Sequence, residues 1–144
     1  MKLNLAKKSE PGLSSAELAE RVIAASMDAK AREVVILDVA ELFGLADNFI
    51  IMSGRSDRQV QGIANRILDS LGREGVKPTS IEGFESGHWI LLDFDDVIVH
   101  IFYEQMREHY NVESLWTTAP RREIEETFQS RPEIRRGRVP VFAE

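Results

Sequence analysis

Apolar positions recur with two different periods along the chain, and the switches between them mark its elements. Leu18, Val22, Ala25 and Ala29 step by three and four, while Ser14 and Glu17 have capping-box spacing, each side chain satisfying an orphan backbone N–H at a helix start. Together they predict a helix over residues 14–31. "EVVILDV" (33–39) is β-branched and too short for a good helix, so it predicts a strand; "NFIIMSG" (48–54) predicts a second after a loop carrying Gly44. The short connection suits a hairpin-like antiparallel pair. The clearest stripe is Val60, Ile63, Ala64, Ile67, Leu68 and Leu71, a helix beginning at Ser56. Gln59 again stands at capping-box spacing, and Gly72 or Gly75 can close the helix in the left-handed conformation. A short strand near 79–82 follows, then strands over 89–93 and 97–102 joined by a tight turn. A helix over 103–109 leads into "YNVESLW".

The order α-β-β-α-β-β-β-α predicts an α/β (α+β) fold, a mixed five-stranded sheet flanked by helices. No internal repeat is visible. Beyond Trp116 the period weakens. "TAPRREIEETF" suits a short helix with Ile124 and Phe128 on one side, and "QSRPEIRRGRVPVFAE" has two prolines, four arginines and no rhythm. The expected organisation is a flexible N-terminus (1–13), one domain (14–116) and an extended or mobile C-terminal tail (117–144).

The hairpin sorts its residues. With the turn at Phe94 and Asp95, Asp93 opposes Asp96 and Trp89 opposes His100, and opposed side chains share a face. One face then carries Ile90, Leu92, Val97, Val99 and Ile101, all aliphatic, and must be core. The other carries Trp89, Leu91, Asp93, Asp96, Ile98, His100 and Phe102, a mixture typical of partner-binding patches. The alternative is that the last helix covers this face, with Trp89 and Phe102 as second-layer core.

Composition narrows the chemistry. At 144 residues the chain is one domain's worth of material, enough for a core without staples. No cysteine is present, which excludes disulfides, thiolate catalysis and cysteine-ligated zinc. "MKLNLAKKSEPG" has no apolar run long enough for a signal peptide and no stretch approaches a membrane span, so a soluble, cytoplasmic protein is expected. The net charge of −6 is uneven: residues 117–144 hold six arginines and five acids, leaving the tail at +1 and the body at −7. An acidic body disfavours binding by phosphate neutralisation and suits a basic protein partner.

Catalytic patterns are thin. Asp93 and Asp95 have the spacing of a carboxylate pair that holds magnesium in nucleotidyl transfer, with "SGRS" (53–56) as the nearest anion-favouring helix start. "SGRS" has a single glycine and matches neither GxGxxG nor a P-loop. His88, His100 and His109 have no standard zinc spacing, and no serine sits in a nucleophile elbow. The residues by themselves describe a mixed α/β domain with an aromatic and acidic face, a binder. A metal-dependent nucleotidyltransferase using Asp93 and Asp95 is the alternative.

From the first strand to Trp116 the chain resembles the ribosomal silencing factor family (RsfS, also called Iojap). The resemblance runs through "LDV" and "LAD" (37–39, 45–47), "GRSDRQVQGIA" (54–64), "EG" (82–83), "GHWILLDFDDVIVHIF" (87–102) and "REHYNVESLW" (107–116). Two positions depart from it: Asp95 stands where the family usually has Gly, and Val112 where it has Leu. The resemblance implies a nucleotidyltransferase-like core without the chemistry, with no enzyme activity and neither cofactor nor metal. It implies binding to protein fourteen of the large ribosomal subunit, steric blocking of subunit joining, and repression of translation under nutrient limitation. On this reading the contact surface is sought among Trp89, Asp93, Asp96, His100, Phe102, Tyr103, Arg107, Tyr110, Glu113 and Trp116. Arg131, Arg135, Arg136 and Arg138 of the tail would touch ribosomal RNA. An exposed aromatic face would also let two copies pair as a homodimer off the ribosome.

Overall fold

The first helix begins where the capping box places it. In the computed structural model, which describes residues 12–124, Ser14 Oγ accepts from the Glu17 N–H at 3.1 Å and Glu17 Oε1 from the Ser14 N–H at 3.0 Å. Helix α1 (Ser15–Asp28) is followed by β1 (Arg32–Asp38), a one-turn helix α2 (Ala40–Phe43) and β2 (Asn48–Gly54). Then come α3 (Asp57–Gly72), β3 (Ser80–Glu82), β4 (Trp89–Asp93), β5 (Val97–Tyr103), α4 (Glu104–Tyr110), a 3-10 turn (Val112–Trp116) and β6 (Arg121–Glu123). The sheet runs β3-β4-β5-β2-β1-β6, antiparallel except for the parallel β2–β5 pair at its centre. β1 and β2 pair antiparallel, as their short connection suggests.

The fold departs from the pattern-based expectation at two elements. The sheet has six strands rather than five, because Arg121–Glu123 pairs with β1 through Leu37, Ile36 and Val35. These residues were expected in a short helix within a tail, so the folded unit extends to at least Ile124. Local propensity is silent about "RRE". The cause is non-local: β1 would otherwise expose a row of unpaired backbone groups, and a charged edge strand closes it. The second departure is α2, inside the stretch expected to be loop, capped by Gly44 at φ 81°. The N-terminal segment through residue 11 and the tail from 125 lie outside the described residues.

The hairpin turn falls one residue later than expected. Phe94 N–H donates to the Val97 carbonyl at 2.9 Å, so Asp95 and Asp96 form the two-residue loop. Trp89 then opposes Phe102 and Asp93 opposes Ile98. A one-residue move of the turn shifts the register by two, and an even shift leaves every side chain on its face. Ile90, Leu92, Val97, Val99 and Ile101 are accordingly buried beneath α1 and α3, against Val22, Val60, Ile63, Ile67 and Leu71. Asp95 has φ 71° and occupies the first central position of the turn, where glycine is favoured.

Candidate partner-binding face

On the other side of the sheet lies a second apolar layer of different chemistry. Val35, Leu37, Phe49, Ile51 and Phe102 face outward from the strands, and Met106, Val112 and Trp116 close over them from α4 and the 3-10 turn. Rings form a continuous seam through it. Phe43 meets Trp116 edge-on at 5.6 Å, Trp116 meets Phe49 at 5.2 Å, and Phe49 meets His100 at 5.1 Å. Trp89 then stacks on Phe102 at 5.0 Å and touches Tyr110 at 4.8 Å. Edge-to-face and offset arrangements suit the ring quadrupoles and add to the burial energy.

Within the seam, Trp89 Nε1 donates to His100 Nδ1 at 3.2 Å. Nδ1 is therefore the acceptor, and Nε2 carries the proton of a neutral imidazole. Nε2 is buried without a hydrogen-bond partner, and burial lowers the His100 pKa to about 4. This is a packing histidine.

The expected contact residues therefore separate. Phe102 is fully buried and His100 is 5% exposed, so neither offers surface to a partner. The last helix covers this face in part: α4 and the 3-10 turn close over the layer holding Phe102, while Trp89, Leu91, Asp93 and Ile98 stay half-buried. Tyr103 packs instead against the α1 and α3 side. Trp89 and Trp116 are half-buried and Tyr110 is exposed, so the seam reaches solvent at its margins.

Asp93 and Asp96 do not oppose one another. Asp93 Oδ1 accepts from the Asp95 N–H at 2.8 Å, Asp95 Oδ1 accepts from the Thr79 hydroxyl at 2.8 Å, and the Asp96 carbonyl accepts from the N–H groups of Asp47 and Asn48. These acids shape a turn. Among the described residues no group of three or more His, Cys, Asp or Glu is placed to hold a metal ion. The helix start after "SGRS" is also internally engaged. Ser56 Oγ caps the Gln59 N–H at 3.0 Å, while Gln59 reaches back to the Arg55 N–H at 2.6 Å and across to the Lys30 carbonyl at 3.2 Å.

Arg107 and Glu113 form a tie rather than an open charge pattern. Arg107 Nε bonds Glu113 at 2.7 Å, and its Nη1 donates to the Glu33 carbonyl and to Ser53 Oγ, both at 2.8 Å. Arg121 bonds the other Glu113 oxygen at 3.0 Å. One guanidinium thus joins α4 to β1 and β2, and one carboxylate brings in the 3-10 turn and β6. Burial pushes the Glu113 carboxyl up, but the hydrogen bonds and charges of Arg107 and then Arg121 outweigh it and hold the pKa below its ordinary value.

Pattern reading missed a set of exposed apolar residues. Leu42 is 51% exposed, Leu45 77% and Leu115 73%, and Phe43 and Tyr110 are exposed as well. A signal was present: "ELFGLAD" is richer in large apolar residues than a solvated loop requires, and it lacks the period of a packed element.

Residues 13–139 match the family model described as "Ribosomal silencing factor during starvation". The chain belongs to the ribosomal silencing factor family, RsfS. It is 41% identical to ribosomal silencing factor RsfS of Bacillus subtilis over 97 residues, covering 67% of this chain and 82% of that one. It is 38% identical to the RsfS of Halalkalibacterium halodurans over 113 residues, covering 78% and 97%. A plant relative, the chloroplastic protein Iojap of Zea mays, is 33% identical over 95 residues, covering 66% of this chain and 41% of that one. Among solved structures, a protein from Chromobacterium violaceum superposes with a TM-score of 0.71 at 35% identity, covering 73% of this chain and 88% of that one. RsfS is a regulatory rather than an enzymatic family, concerned with ribosomal silencing and hence with translation. No helix among the described residues is long and apolar enough to cross a membrane.

The RsfS motif glycines have a structural cause here. A Cβ on Gly83 (φ 79°) would run into the Trp89 carbonyl oxygen, and one on Gly87 (φ 71°) into the backbone of Asp57. Both glycines seat the loop that delivers Trp89 to the seam.

Proposed function

We propose that this RsfS chain binds protein fourteen of the large ribosomal subunit on the face that meets the small subunit, blocks joining by occupying that face, and so represses translation under nutrient limitation. The observation that carries this reading is the family match across residues 13–139. The physical requirements are modest: a rigid body of domain size and enough affinity to stay in place. The acidic body suits the encounter, since ribosomal proteins are mostly basic and opposite charge steers association. The nucleotidyltransferase-like core serves as a scaffold, without catalysis, cofactor or metal, in the cytoplasm. Asp93 and Asp95 engaged in their own turn favour that over the magnesium alternative. The four arginines of residues 131–138 supply a contact to ribosomal RNA.

The test is a subunit-joining assay on sucrose gradients. Purified protein added at several times the concentration of large subunits should shift joined ribosomes to free subunits and co-sediment with the large one. Unchanged joining sinks the proposal. Removing residues 125–144 should weaken binding most at low salt; equal affinity across a salt titration removes the RNA contact.

A further inference from the structure

Phe102 and His100 are buried, so the surface that grips the partner is sought among the exposed apolar side chains. We infer that it is the apolar patch built by Leu42, Phe43 and Leu45, at α2 and the loop after it, together with Leu115 and the margin of Trp116, and that it receives a basic protein surface with an apolar pocket. This rests on the proposed function and names its contact site.

Four observations converge. First, large side chains are held in solvent: Leu45 is 77% exposed, Leu115 73% and Leu42 51%. Second, the two segments, some seventy positions apart, are joined by the Phe43–Trp116 edge contact at 5.6 Å, so they present one patch. Third, the patch has a firm back. Phe49 lies against both Phe43 and Trp116, with His100 behind it, so these rings have little conformational freedom left to lose on binding. Fourth, residues 38–48 carry Asp38, Glu41 and Asp47 and not one lysine or arginine, whereas Glu113 is taken up by Arg107 and Arg121. Carboxylates around an apolar centre repel a phosphate backbone and match a cationic protein rim. Ile81, 44% exposed on the β3 edge at the far end of the sheet order from β1, lacks such a setting and serves as a control.

The experiment uses the full chain with L45S/L115S and, separately, L42S, against I81S. All these side chains are substantially exposed, so circular dichroism and melting should match the parent. Binding to isolated large subunits is read by co-sedimentation and joining by gradients. The double variant should lose at least ten-fold in affinity and in joining inhibition, L42S less, and I81S nothing. Folded variants that bind as the parent does overturn the inference while leaving the functional proposal standing. A parent that ignores large subunits overturns both. Two further results also overturn it: a concentration-dependent dimer that the double variant abolishes while its subunit affinity stays intact, which assigns the patch to a second copy, and parent binding to protein-free ribosomal RNA as tight as to whole subunits.

Discussion

The two faces of the sheet are built from different materials. Toward α1 and α3 the strands present Ile50, Met52, Ile90, Leu92, Val99 and Ile101, fully buried aliphatic and thioether side chains. Toward α4 and the 3-10 turn they present Phe49, His100 and Phe102 among rings that hydrogen-bond, stack and reach solvent at the edges. The first layer gains its stability from area removed from water, which is non-directional. The second is covered by two short helical pieces that bury little by themselves, and it is held by directional contacts: an indole N–H on an imidazole, and a guanidinium shared among four elements. Its roof is therefore the part whose geometry depends on specific residues, and the 3-10 turn of that roof carries the exposed Leu115.

The difference can be broken most forcefully from the inner side. Leu92→Ala should cost about 2–5 kcal/mol by lost transfer energy and cavity, read by denaturant unfolding, with large-subunit binding per folded molecule unchanged. A next effect comes from His100. Its folded pKa of about 4 lies below the ordinary 6.5, so the neutral form is the one that fits. Above pH 6.5 its contribution is complete; between 6.5 and 4 the unfolded chain binds the proton first and stability falls, by roughly 3 kcal/mol in all. His100→Phe should flatten that part of the stability–pH curve, and an unchanged slope would refute the buried neutral imidazole.

Arg107→Ala should cost about 2 kcal/mol and loosen the roof, since it leaves the Glu33 carbonyl, Ser53 and Glu113 without this donor. Faster amide exchange in α4 and residues 112–123, with the inner helices unaffected, is the expected signature. Because the Glu113 carboxyl is held low, its stabilisation is present above the ordinary carboxylate range and disappears as pH falls through the lowered folded-state value; Glu113→Gln should remove that acid-side dependence. The smallest effect is expected at the turn joining the two hairpin strands. Asp95→Gly relieves a left-handed residue and gives up an exposed hydrogen bond to Thr79, so stability should rise by no more than about 1 kcal/mol. A clear loss would mean that the carboxylate outweighs the backbone strain.

What the chain determined by itself is whatever depends on periodicity and near neighbours. The stripe from Val60 to Leu71, the Ser14–Glu17 box and the aliphatic face of the hairpin all involve residues a few positions apart, and even a misplaced turn left that face correct because a strand repeats every two residues. The RsfS motifs were equally legible, being ordered and contiguous. The tertiary structure alone decided three things: that Arg121–Glu123 closes the edge of β1, that α4 and the 3-10 turn close over the layer holding Phe102, and that Phe43 meets Trp116. Each is a meeting of segments far apart in sequence. Polar "RRE" becomes a strand only because an unsatisfied edge awaits it, and a ring on a strand is core or contact according to what the far end of the chain lays over it.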